Sequence, residues 1–144
     1  MPDAIADLPT LLRSLDPYLH PERFAFATLP GRVPPGIYET AVATFREGEG
    51  LSVVLPVAAA RQYGLRYDGT YAMITLRVRS SLAAVGLTAA VAAALSGAGI
   101  SANVIAAYHH DHVFVPAPSA TDALGALREL SAAASPDIPQ TRAR

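Results

Sequence analysis

Between residues 74 and 116 the spacing of apolar and polar positions changes period twice. Ile74, Leu76 and Val78 alternate with Thr75, Arg77 and Arg79, a period of two that predicts a strand with one wet face. Leu87, Val91 and Leu95 then recur every four residues, on one face of a helix that Gly97 and Gly99 end. Residues 102–108 read as a second strand, 109–111 as a turn and 113–115 as a third strand. A last helix begins near Ser119 and Asp122 and carries Leu124, Leu127 and Leu130 at a spacing of three. The order β-α-β-β-α is the core of a split β-α-β, or ferredoxin-like, unit.

Upstream the pattern is similar but less complete. Residues up to Ala6 look frayed, and Asp7 caps a short helix over 8–15 that Pro9 tolerates in its first turn and Asp16-Pro17 ends. Residues 23–29 have the aromatic, alternating character of a strand, and 30–36, PGRVPPG, form a connector too rich in Pro and Gly for helix or ladder. Strands over 41–46 and 51–55 are joined by a glycine-containing hairpin, and a helix over 57–63 follows, ended by Gly64. The segment 67–79 is long for one strand and is expected to serve two neighbours. The first run lacks a helix after its opening strand, and the second lacks a closing strand after its last helix. Pairing across the boundary, through residues 23–29 or 70–79, repairs both. The units are set at 1–66 and 67–134, with 135–144 expected to be a mobile tail.

Composition narrows the chemistry. A net charge of −1 with no basic stripe argues against nucleic acid or anionic lipid as a partner. With no cysteine there is no thiolate nucleophile, disulfide or Cys-ligated metal, and with no secretory leader pattern the expected compartment is the cytoplasm. Residues 82–108 carry no formal charge, yet their alanines contribute little transfer energy and three glycines interrupt them. A small-residue helix lying on a sheet explains the run better than a membrane span. No P-loop, dinucleotide fingerprint or nucleophile elbow occurs, and Glu39, Glu47 and Glu49 read as solvated hairpin charges, so no enzyme and no cofactor is expected.

The segments ITLRV, VGLTAAVAAAL and AGISANV resemble the first strand, the glycine loop with first helix, and the helix end with second strand of the ACT domain family. With TFREGEGLSVVLP and YHHDHVFVP, the whole is similar to small bacterial proteins built from two tandem ACT-like units. Val85-Gly86 stands where the family pattern has Pro-Gly, behind an inserted stretch over 80–84. The resemblance implies an α+β fold of two intertwined ferredoxin-like (βαββαβ-type) units with antiparallel sheets and helices on one face. It also implies a regulatory or sensor protein that binds a small molecule, an amino acid in the first instance, where two such units meet.

The residues are compatible with that reading. A loop ending at Val85, Gly86 and Leu87 presents free N–H groups at a helix start, which suits a carboxylate, and glycine admits a ligand close to the backbone. Ser80, Ser81 and Thr88 add hydroxyls, and Asn103 on the next strand offers both donors and an acceptor. The same residues can act structurally, as helix caps, as a close helix-to-strand contact and as a loop partner. His109, His110, Asp111 and His112 suggest a metal, but neighbours on a strand point to opposite faces, so a polar hairpin turn is the expectation and no metal is assigned. Exposed edges and alanine-rich helices favour a homodimer. The alternatives are a ligand-free protein-interaction module or a small metal-binding enzyme using the HHDH turn.

Overall fold

The computed structural model describes residues 4–134. The expectation of a mobile tail over 135–144 lies outside these residues. The chain runs α1 (Leu8–Arg13), β1 (Pro17–Leu29), α2 (Ile37–Thr40), β2 (Ala43–Glu47), β3 (Gly50–Pro56), α3 (Val57–Gln62), β4 (Tyr71–Leu76), α4 (Leu87–Gly97), β5 (Asn103–Ala106), β6 (Asp111–Pro116) and α5 (Ala120–Ala133). The strands form a single antiparallel sheet in the order β2-β3-β1-β4-β6-β5.

β1 is the seam. Its C-terminal half pairs with β3 from Phe24↔Pro56 to Leu29↔Leu51, and its N-terminal half pairs with β4 through Pro17↔Leu76, Tyr18↔Thr75 and Leu19↔Ile74. The second unit's missing closing strand is therefore the first half of β1, and β4 in turn flanks the first unit. The two units are intertwined, with their pairing crossing the boundary. β1 is six residues longer than the strand expected from Arg23, because Pro21 falls in the register break between Leu19 and Arg23 where the ladder skips. Smaller corrections follow the same logic. β4 and β5 are shorter than the strands read over 67–79 and 102–108, and α1 stops at Arg13. A four-residue helix, α2, occupies the place where only a connector was expected. Residues before Asp7 are not frayed throughout, since Ile5 donates to the Arg79 carbonyl and accepts from the Ser81 N–H, both at 2.9 Å.

All helices lie on one face of the sheet. Leu11, Leu15, Leu87, Val91, Leu95 and Leu127 from α1, its C-terminal flank, α4 and α5 pack on Ile74, Leu76, Val113 and Val115. Burying each leucine contributes about 1.5–3 kcal/mol. Leu124 and Leu130, expected to share α5's apolar face with Leu127, are only partly buried, and Ala120 and Ala123 complete the contact. α2 and α3 cover the other half of the sheet through Ile37, Ala59 and Ala60 on Ala25, Leu29, Val53 and Leu55. At the β2–β3 hairpin, Gly50 has φ +147°, and a Cβ there would stand 2.5 Å from the Leu29 carbonyl oxygen.

Among the described residues the opposite face carries no helix, yet Phe24, Val54, Met73 and Phe114 are buried on it, with Phe26, Tyr71 and Ile105 packed against them. The sheet curls so that its two edge strands approach each other over this face. Here the expectation of a wet face opposite Ile74 and Leu76 is corrected, because Thr75 is only 7% exposed.

Candidate functional site

The loop between β4 and α4 is held at both ends by main chain. Ser81 N–H donates to Ile5 O, and within the loop Ala83 N–H donates to Ser81 Oγ at 3.1 Å and Ala84 N–H to the Ser81 carbonyl at 2.9 Å. Gly86 occupies the N-cap of α4 with φ +101°, a region that favours glycine. A Cβ there would meet Leu8 Cδ2 at 2.9 Å, so the residue also lets α1 approach the loop. No side chain caps α4, which leaves its first-turn N–H groups to water or a ligand.

Ser80, Ser81, Leu87 and Thr88 come together around a small cleft of about 60 Å³, which Leu82, Ala84, Ala106 and Asp111 also line. Ser80 Oγ donates to Asp111 Oδ2 at 3.2 Å, and Asp111 is 8% exposed. Val85 is 84% exposed at the outer side of the loop, beside neither the cleft wall nor the core. Asn103 is not brought to this place. It begins β5, and Ala106 at the far end of that strand, roughly 10 Å away at about 3.4 Å per residue, lines the cleft instead. Asp111 went unassigned to the loop because only the Leu76↔Asp111 pairing of β4 with β6 carries it there. That volume holds about two waters, so the cleft admits a carboxylate or an ammonium group and little else. Leu82, on the cleft wall, is 70% exposed.

The histidines do not converge. Among the described residues no three His, Asp or Glu side chains gather in a way that could hold a metal ion. His109 packs edge-on against Tyr108, and His110 Nδ1 donates to the Val78 carbonyl at 3.3 Å. His112 turns to the helix-free face, where its Nδ1 lies 2.9 Å from Thr75 Oγ1 and His20 Nε2 lies 2.7 Å from the same oxygen. The single hydroxyl proton can serve only one ring, so at least one imidazole donates to Oγ1. His20 was not connected with this cluster from its sequence position; the β1–β4 pairing brings it in.

Burial holds both His20 and His112 below the ordinary imidazole value, and the neighbouring His110 and His20 push His112 further in the same direction. Below about pH 6.5 an unfolded chain takes up protons on these rings that the folded chain does not. Stability is therefore expected to fall as pH drops through that range. Asp7, whose carboxyl is held low by its bonds from Thr10, acts only below its ordinary value of 3.8. Urea midpoints at pH 7.5 and 5.5 should differ, and His112→Gln should reduce the difference; equal midpoints in the native chain would contradict the assignment.

Two ACT domain models match the chain in tandem, over residues 3–72 and 68–129. A crystal structure of a protein of unknown function from Vibrio cholerae, described as a possible transport protein, is 46% identical with a TM-score of 0.77, over 86% of this chain and 95% of that one. A protein from Agrobacterium tumefaciens is 20% identical with a TM-score of 0.62, over 76% and 84%. The ligand-free regulatory subunit of aspartate kinase from Thermus thermophilus shares 13% identity and a TM-score of 0.62, over 81% and 97%, a likeness of fold. Among curated proteins no match is found. No helix of the described residues is long and apolar enough to cross a membrane.

Proposed function

The chain belongs to the ACT domain family, and from that premise we propose that it is a non-catalytic regulatory protein that binds an amino acid or a similar small metabolite at the loop preceding α4. The observation that carries this reading is the meeting of Ser80, Ser81 and Thr88 with the uncapped α4 N-terminus around one small polar cleft. First-turn N–H groups and hydroxyls take the carboxylate, and Asp111 beside Ser80 takes the ammonium group. The pair of charges on an amino acid suits this combination better than a simple anion does.

The cleft is too small for a whole ligand, and the apolar side chain of Leu82 stands exposed on its wall. A second copy laid against the unpaired edge of β5 would close the site, which makes the active form a cytoplasmic homodimer. Val85, Gly86 and Leu87 shape the loop in this scheme, and Asn103 contributes to the edge rather than to the pocket. The relation to a regulatory subunit of aspartate kinase favours sensing over catalysis, as a fold-level analogy.

A thermal-denaturation screen of the twenty amino acids tests the proposal. A true ligand at 100 times its dissociation constant stabilises by about 2.7 kcal/mol. Thr88→Val should remove that stabilisation while leaving the unliganded melting temperature nearly unchanged, because Thr88 is solvent-facing. A screen in which none of the twenty shifts the transition sinks the amino-acid reading.

A further inference from the structure

A second cavity lies away from the loop cleft. It is a trough of about 870 Å³ on the curled, helix-free face, lined by β1, β2 and β3 on one side and by residues 104–106 of β5 on the other. Phe26, Phe45, Val54 and Ile105 give it an apolar interior, and Thr28 and Ser52 add hydroxyls. Phe45 is 72% exposed on edge strand β2. The volume falls in the range of about 300–1,000 Å³ typical of sites for drug-sized molecules, and a single amino acid would leave most of it unfilled.

Charge at the rim narrows the class. Arg66 and Asp68 line the trough from the segment before β4, both exposed. Among the described residues the one ion pair is Arg77–Asp16, so no carboxylate of the described residues holds the Arg66 guanidinium. A planar guanidinium beside an apolar trough takes a carboxylate through paired N–H donors. Asp68 two residues away repels a second negative charge. A second copy fits less well, because a two-fold contact through this surface sets one concavity against another and leaves the space between them empty.

We propose that this trough binds a carboxylic acid with a long apolar body, its carboxylate on Arg66 and its hydrocarbon between Phe26, Phe45, Val54 and Ile105. The site is separate from the loop cleft, with which it shares only Ala106 at the end of β5.

Calorimetric titration of the full chain with sodium decanoate and with decanol tests it. Decanoate is expected to bind saturably with one equivalent per chain. Arg66→Gln should weaken decanoate by about tenfold or more, the loss of one charge-assisted pair, and leave decanol unchanged. Phe45→Ser should weaken both, and Asp68→Asn should tighten decanoate. All three side chains are exposed, so the variants are expected to fold. Thr88→Val, at the loop, should leave decanoate binding intact, which keeps the outcome independent of the amino-acid proposal. Absence of saturable decanoate binding, or equal affinity in Arg66→Gln, overturns the proposal. So does sedimentation showing a dimer that Phe45→Ser dissociates and that decanoate does not enter, since the trough then belongs to a second copy.

Discussion

Phe114→Ala is expected to cost about 3–5 kcal/mol of folding stability, the range for removing a large buried aromatic side chain. Phe114 is 1% exposed at the middle of β6, on the face that no helix covers. Its ring stands edge-on to Phe26 at 5.3 Å and to Phe24 at 6.1 Å, and such pairs add about 0.5–1.5 kcal/mol beyond their buried area. Small domains hold only about 5–15 kcal/mol in total, so the loss is large. The change also removes the post around which the sheet curls, because Phe114 is the contact between β6 and the β1 aromatics. Urea unfolding should show a lowered midpoint, and Phe114→Leu should recover part of it. A cost below about 0.5 kcal/mol, the usual bound for surface changes, would mean that the curled face is not a packed core.

The second large effect concerns the chain's connectivity. Residues 1–66 and 67–144, produced as separate polypeptides, are each expected to remain unfolded, and to fold when mixed. In the first fragment the N-terminal half of β1 loses β4, and Leu11 and Leu15 lose the helices they pack on. In the second, β4 loses one of its two neighbours, and its edge backbone groups are left to solvent over the whole strand. Circular dichroism of each fragment and of the equimolar mixture decides the matter. A fragment with a cooperative unfolding transition of its own would show that the exchange of strands is dispensable.

The parts legible in the sequence are those whose causes are local. Leu87, Val91 and Leu95 at a spacing of four fix both the existence of α4 and its buried face, and Asp7 ahead of Leu8 fixes the start of α1, where its carboxylate accepts from the Thr10 N–H at 3.0 Å. The hairpin at Gly50 and the stop after α3 follow from glycine in the same way. β1 is only half legible, since Asp16-Pro17 reads as the end of α1 and the strand is expected only from residue 23, while the ladder's own irregularity accommodates Pro21. α2 is a single turn behind Pro30, Pro34 and Pro35, shorter than any periodicity can register.

The candidate site divides along the same line. Ser80, Ser81, Leu87 and Thr88 are neighbours in sequence and share the cleft, whereas Asp111 arrives through strand pairing and Asn103 is carried away by the direction of β5. The His20–Thr75–His112 contact and the trough arise from the pairing of β1 with β4 and from curvature, and no spacing along the chain encodes either.

A strand that runs through both units leaves no linker between them. β1 pairs with β3 along its C-terminal half and with β4 along its N-terminal half, and the register break between Leu19 and Arg23 lies inside that join. If a ligand binds as proposed, its effect would reach a partner through the free borders of the sheet, β2 and β5. On the proposed reading the protein would transmit by changing what it fits along those two borders.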